Sequence, residues 1–255
     1  MPLSYAEMER HLMDELRLYH HPIAVTFLAT DAEVAEFKRT TPHVVPVKSL
    51  TFCQWEIAAR MQGKTVLGTK DKLFCTNAQC SFGWHEIDEG EIKSQLKYCV
   101  DAAQAERFLR SKPHLPKDSI RALAVGPLGQ AVLPPSVVHF YCDSMQAYHL
   151  AVDYMAATDT HPIRPLLIMS SSACGGSAYS FLEQAFNFCP PCSGSYNAGK
   201  TERGEVNVTI PGTQIGAVVE RLLARIEEKG SAAITRPSED RKSTRLNSSH
   251  NQRSR

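Results

Sequence analysis

Eight cysteines occur in 255 residues, and four of them stand where a thiol can do chemistry. Cys53 opens a segment of helical pattern, Gln54-Trp-Glu-Ile-Ala-Ala59, and Cys75 follows 22 residues later in a loop-like stretch. Cys174 likewise precedes Ser177-Ala-Tyr-Ser-Phe-Leu182, and Cys192 follows 18 residues later in a glycine-rich loop. Free N–H groups and partial positive charge at a helix start lower a thiol's pKa and favour thiolate, the form that binds metal. Two such pairs brought together supply four thiolates, enough for an iron–sulfur cluster or a tetrahedral zinc. The plain alternative is that these thiols are buried as small apolar groups, since spacings of this length form no short ligand motif.

Other patterns compete. Cys189-Pro-Pro-Cys192 has the spacing of a redox dithiol, but such a site opens a helix after a strand, and here Ser193–Gly199 reads as a loop. Gly194-Ser-Tyr-Asn-Ala-Gly199-Lys200-Thr201 matches the phosphate-loop pattern, whose chemistry needs a strand before it and a helix after it. Two prolines precede it and a strand follows, so the milder reading is anion or nucleotide binding through Lys200, Arg203 and loop N–H groups. Gln146 stands at a strand-to-helix switch, where it would face a ligand at the carboxyl edge of an open parallel sheet. Gln146 and Lys200 are therefore candidate cofactor-binding residues. Phe52, Trp55 and Met61 read as core, and Glu56 as solvated.

These groups must be carried by regular elements. Ser4 and Glu7 form a capping box for a helix over 5–20, which Pro22 stops. Ile23–Leu28 reads as a buried strand, followed by a helix from Asp31 to Phe37 and an extended connection marked by Pro42 and Pro46. Thr51 caps a helix over 52–62 closed by Gly63, and Thr65–Leu67 is a short strand. Residues 71–84 read as loop, and helices follow near 89–98 and 101–110. Ala122–Val125, Val137–Tyr141, Leu166–Met169 and Glu205–Ile210 read as strands. Helices are expected over 145–156, 177–186 and 213–229, with Gly230 at the last stop. The alternation predicts an α/β or α+β fold with a mixed sheet, helical cover and two halves that echo each other.

Lysine and arginine number 28 against 27 acidic residues. Asp240-Arg-Lys-Ser-Thr-Arg-Leu-Asn-Ser-Ser-His250 reads as a translated sequencing adaptor, so residues 240–255 are set apart from a single globular domain over 1–239. The tail holds five basic residues and one acid; without it, 23 basic and 26 acidic side chains leave a net −3. A slightly acidic body with no cationic stripe argues against a nucleic-acid partner. No apolar run approaches the ~18 residues of a membrane span, and the first ten residues lack a signal-peptide pattern. A cytoplasmic protein is the expectation, and with it reduced cysteines rather than disulfides.

The chain also resembles the domain-of-unknown-function 169 family over nearly all of residues 5–235. The resemblance rests on His21-Pro-Ile-Ala-Val-Thr-Phe-Leu28, on Phe52-Cys-Gln-Trp-Glu-Ile-Ala-Ala59 with Gly63-Lys-Thr-Val66, and on Asp71 followed by Cys75. It continues through Ala124-Val-Gly-Pro-Leu128, Val137-Val-His-Phe-Tyr-Cys-Asp-Ser-Met-Gln-Ala-Tyr148, Cys174, Cys192-Ser-Gly194 and Gly204-Glu-Val-Asn-Val-Thr-Ile-Pro211. It implies that Cys53, Cys75, Cys174 and Cys192 are the recurrent cysteines of the family, and it implies no activity. The family's glycine-rich step after the second cysteine is replaced here by Thr76-Asn-Ala-Gln-Cys80. The leading expectation is a metal-cofactor protein: these four cysteines hold an iron–sulfur cluster, or else zinc, with an electron-transfer or small-ligand role. Its partner would be a redox protein or a small molecule. The rival readings are an anion- or nucleotide-binding module built on Gly194–Thr201, and a soluble fold without such a site.

Overall fold

A computed structural model describes residues 2–41, 43–45, 47 and 49–229. The tail over 240–255 and Gly230 lie outside the described residues. Ten helices and seven strands alternate among them. The first half runs α1 (Tyr5–Leu16), β1 (Ile23–Leu28), α2 (Asp31–Thr40), β2 (Val44–Val45), α3 (Phe52–Arg60), β3 (Thr65–Thr69) and α4 (Thr76–Ser81). It closes with α5 (Glu89–Gln95), α6 (Ala102–Ser111) and β4 (Ala122–Pro127). The second half runs β5 (Val137–Asp143), α7 (Ser144–Thr158), α8 (Ser172–Glu183), β6 (Asn187–Cys189), α9 (Ser193–Asn197), β7 (Glu205–Pro211) and α10 (Ile215–Lys229).

The strands form one mixed sheet in the order β2-β3-β4-β1-β5-β7-β6. Only β2 and β3 pair parallel; every other neighbouring pair is antiparallel. The fold is therefore α+β. The two halves share an order of elements. Strand, two helices, strand, short helix, strand describes β1-α2-α3-β3-α4-β4 and again β5-α7-α8-β6-α9-β7, with β2, α5 and α6 added in the first. The sheet order mirrors this about the antiparallel β1–β5 pair.

Burial on both faces explains why the central strands are almost wholly apolar. In β1, Ile23, Val25 and Phe27 face a core shared with α3, α4 and α8, where Phe52, Trp55, Phe82 and Ala178 also pack. Ala24 faces the opposite layer with Val138, Phe140, Cys142, Val208 and Ile210, covered by α1, α7 and α10. Gly68 of β3 lets α3 approach, since a Cβ there would lie 2.3 Å from the Trp55 ring. On the second face, Arg225 of α10 grips the buried Asp153 of α7 through two bonds of 2.6 and 2.7 Å.

Three expectations need correction. Leu166–Met169 forms no strand: Leu167 is 73 % exposed, and the Leu166 N–H is satisfied by the Asn187 side chain instead of a ladder. The third strand of that half is β6, a three-residue segment too short to show alternation. Residues 71–84 are not simply loop, because Thr76–Ser81 forms a helix capped by Cys75. Met61 is half exposed rather than core, while Phe52 and Trp55 are buried.

A candidate cysteine-lined cofactor site

All four singled-out cysteines sit at helix N-termini on the same face of the sheet. A capping box, Thr51 with Gln54, starts α3 and makes Cys53 its second residue. Cys174 is the third residue of α8, which packs against both α3 and α4. Cys75 and Cys192, expected in loops, are the N-cap residues of α4 and α9. The Thr76-Asn-Ala-Gln-Cys80 departure is thus a helical turn. The four thiols line one cavity of about 200 Å³, shared with Asn77, Gln95, Lys97, Tyr98, Ser170, Ser171 and Ser193. They are close enough to influence one another's charge: Cys53 feels the other three, and Cys174 feels Cys75 and Cys192. Among the described residues, no group of three or more His, Cys, Asp and Glu side chains is gathered so as to hold a metal ion.

Burial pushes three of these thiols up. Cys53 lies well above the ordinary thiol value, with Glu56 adding to the effect of burial; Cys75 is raised; Cys174 is pushed up to about 12. Cys192 goes the other way. Burial opposes its ionisation, but the Ser172 hydroxyl and the N–H groups of Ser195, Ser172 and Ser171 turn toward its sulfur and bring it below the usual value. The Ser195 N–H lies 3.4 Å from Cys192 Sγ. Because thiolate is the reactive form, Cys192 carries the larger thiolate fraction at every pH below the ordinary thiol pKa. In metal-free protein at pH 7–8, iodoacetamide should therefore modify Cys192 several-fold faster than Cys53, Cys75 or Cys174, as read by peptide mass spectrometry. Equal rates at all four would refute this.

A buried polar cluster backs the cavity. Glu56, three residues along α3 from Cys53, is fully buried rather than solvated. Its carboxylate lies 2.6 Å from the Tyr141 hydroxyl, which donates to it, and 2.5 Å from His139 Nδ1. His139 and Tyr141 alternate along β5, so both face α3 and stack at 4.9 Å. Arg60 lies over the Tyr141 ring at 4.2 Å and donates to the carbonyls of Gly199 and Lys200, each at 2.8 Å. That bond holds the loop after α9 against α3, where a Cβ on Gly199 would meet Cys53 Cβ at 2.9 Å. Sequence reasoning missed this cluster. A polar pair at i and i+2 inside an apolar strand was the available signal.

A second group, also missed, sits at the cavity wall. Lys112 is 5 % exposed, and its ammonium reaches Asn77 Oδ1 at 2.9 Å, Ser171 Oγ at 3.2 Å and Ser170 Oγ at 3.5 Å. Burial lowers its pKa, opposed first by the nearby Cys174.

The remaining candidates lie elsewhere or are differently used. Gln146 belongs to the opposite face: it closes the α7 capping box and donates to the carbonyls of Leu16 and Arg17 at 3.0 and 2.8 Å. The antiparallel neighbours of β5 leave no parallel-strand crevice there. Lys200 is exposed and does not line the cavity; only its carbonyl approaches, through Arg60. The phosphate-loop pattern is folded in on itself. A helix occupies its first half, so Gly199-Lys200-Thr201 follows a helix instead of opening one. The N–H groups of Ser195, Tyr196, Ala198, Gly199 and Thr201 all bond within the loop, and the Thr201 hydroxyl bonds Ser195. Cys189 and Cys192 part company: Cys189 is buried toward the Ile168 carbonyl, and α9 begins at Cys192 where a loop was expected. Cys142 belongs to the apolar core of the other face.

The fold and the site define an α+β protein with four cysteines from two similarly ordered halves around one cavity. The chain belongs to the domain-of-unknown-function 169 family: the family model, described as "Uncharacterised ArCR", matches residues 11–221. No curated protein and no solved structure matches it. No described helix is long and apolar enough to cross a membrane.

Proposed function

We propose that the chain is a cytoplasmic iron–sulfur protein in which Cys53, Cys75, Cys174 and Cys192 hold one cluster. Its role would be electron transfer or cluster-assisted binding of a small substrate. One observation carries this reading: four thiols, two from each half of the chain and each at the N-terminus of a helix, line a single cavity. Four thiolates on one centre concentrate negative charge, and the starts of the longer helices α3 and α8 help offset it. Neutral, buried thiols need no such surroundings.

The donor set is all sulfur, which suits iron–sulfur or zinc chemistry. The cavity of about 200 Å³ offers room for the larger centre. Zinc, which tetrahedral thiolates hold at ~2.3 Å, remains the alternative. When bound, a cluster supplies one-electron chemistry. The chain's part is to shield it: Phe52, Ala78 and Ala173 line the inner wall, and Tyr98 closes part of the mouth through a 3.1 Å bond to Ser193. The partner would be a small redox protein or a small molecule entering at that mouth.

Anaerobic purification followed by iron, zinc and acid-labile sulfide analysis tests the proposal. Iron and sulfide in equal amounts, several per chain, is the expected result. Metal-free protein whose four thiols are freely alkylated after anaerobic reconstitution would overturn it.

A further inference from the structure

We infer that Lys112 is a positioning residue that turns one wall of the cysteine cavity into a hydrogen-bond donor surface, places an unpaired positive charge beside Cys174, and thereby raises the reduction potential of the centre bound there. This rests on the proposed cluster.

The lysine comes from the residue after α6, and all three of its bonds reach neutral oxygens in other segments: Asn77 on α4, and Ser170 and Ser171 before α8. No carboxylate forms an ion pair with it among the described residues; the buried Glu91 acts on it through charge without a hydrogen bond to it. Leaving a buried ammonium without a carboxylate is costly unless its surroundings become negative. The groups nearest to it in electrostatic effect are Cys174, Cys80, Glu91 and Cys75. Two of those are the proposed ligands. As neutral thiols they give Lys112 nothing; as cluster ligands they supply the missing charge.

The bonds also dictate which atoms face the cavity. An ammonium can only donate, so Asn77 must turn its Oδ1 to Lys112 and leave its Nδ2 hydrogens for the other side. The Ser171 oxygen likewise accepts from Lys112, which leaves its O–H to donate elsewhere. Ser170 hands its hydrogen to Gln95 Oε1 at 3.2 Å. Asn77, Gln95, Ser170 and Ser171 all line the cavity. Gln95 spends its hydrogens on Ser94 and Asn77, and Ser170 spends its own on Gln95, so the donors left for sulfide and thiolate sulfur are Asn77 Nδ2 and the Ser171 O–H. Ser171, moreover, holds a left-handed backbone with φ 73° at the start of α8, a conformation that non-glycine residues rarely keep unless the surroundings fix them. The Lys112 bond is one such fixture.

Donors and positive charge near the sulfurs favour the reduced, more negative state of a cluster. Lys112→Met should lower the one-electron reduction equilibrium at least tenfold, about 59 mV, with iron and sulfide per chain unchanged. A dithionite titration against redox mediators, followed by visible absorbance, reads this. Lys112→Arg, which keeps the charge, should stay within a factor of about three of the unaltered protein. If the methionine variant folds poorly, Lys112→Gln is titrated in its place with the same expectation. A fully loaded methionine or glutamine variant with an unchanged potential would overturn the inference and leave the cluster standing. An unaltered chain that takes up no iron would remove the cluster and this inference together.

Discussion

Replacing Cys174 with serine should leave a folded protein that takes up less than a tenth of the normal iron and sulfide. Cys174 is the most constrained of the four thiols. It lies in the first turn of α8, is 4 % exposed, and sits beside Lys112 and within range of Cys75 and Cys192. A serine hydroxyl is a poor thiolate substitute: it stays protonated near neutral pH and is a hard donor where the centre calls for soft sulfur. The fold should survive, because a serine at the start of a helix can bond the exposed N–H groups of the first turn. Cys142→Ser is the control. That thiol is equally buried but faces the α1–α7–α10 layer. It should lose roughly 1–3 kcal/mol of stability through an unsatisfied buried hydroxyl while keeping its iron. Iron and sulfide per chain after anaerobic reconstitution, with far-ultraviolet circular dichroism as the fold check, separates the two. A Cys174→Ser protein with normal iron would exclude Cys174 as a ligand.

Much of this arrangement could be read before any coordinates. Capping residues mark α1, α3, α6 and α7 because a side-chain cap is a local signal: Ser4, Thr51, Asp101 and Asp143 each bond an N–H of the first turn. The buried strands β1, β4 and β5 are legible from apolar runs. The short elements are not. The six-residue α4 and five-residue α9 carry no helical period, and each has at its N-cap position a cysteine, a residue outside the usual capping set. That is why Cys75 and Cys192 read as loop residues. The site's supporting shell was hidden for a different reason. Glu56, His139 and Lys112 are polar residues whose burial depends on which elements pack over them, and spacing alone makes Glu56 look solvated and gives no sign of Lys112. Gln146 went wrong at the level of topology: its placement assumed parallel neighbours for β5, and the strand pairs antiparallel on both sides.

The cluster behind Cys53 carries the second large effect. Glu56→Ala should destabilise the protein by about 3–5 kcal/mol, because removing one member of a buried polar network strands the others. The Tyr141 hydroxyl loses its acceptor, His139 loses the group at Nδ1, and His139 Nε2 is already without a partner. Arg60 is packed on Tyr141, has no hydrogen-bond partner at Nε, and has only a 3.9 Å ion pair to Glu205 at Nη1, so a shift of that ring also loosens its hold on the Gly199 and Lys200 carbonyls. At ~2–4 °C per kcal/mol for a chain of this size, the melting temperature should fall by roughly 6–20 °C. Glu56→Gln should cost less, since one amide oxygen can still accept from Tyr141. The loss reaches the site by a physical route. Arg60 helps hold the Gly199 backbone against Cys53, so the alanine variant should also load iron more slowly at temperatures where it remains folded. Thermal melts of the metal-free proteins, followed by reconstitution rates well below the transition, measure the two effects separately. A Glu56→Ala protein that melts within a degree or two of the unaltered chain would show that the carboxylate does not hold this network together.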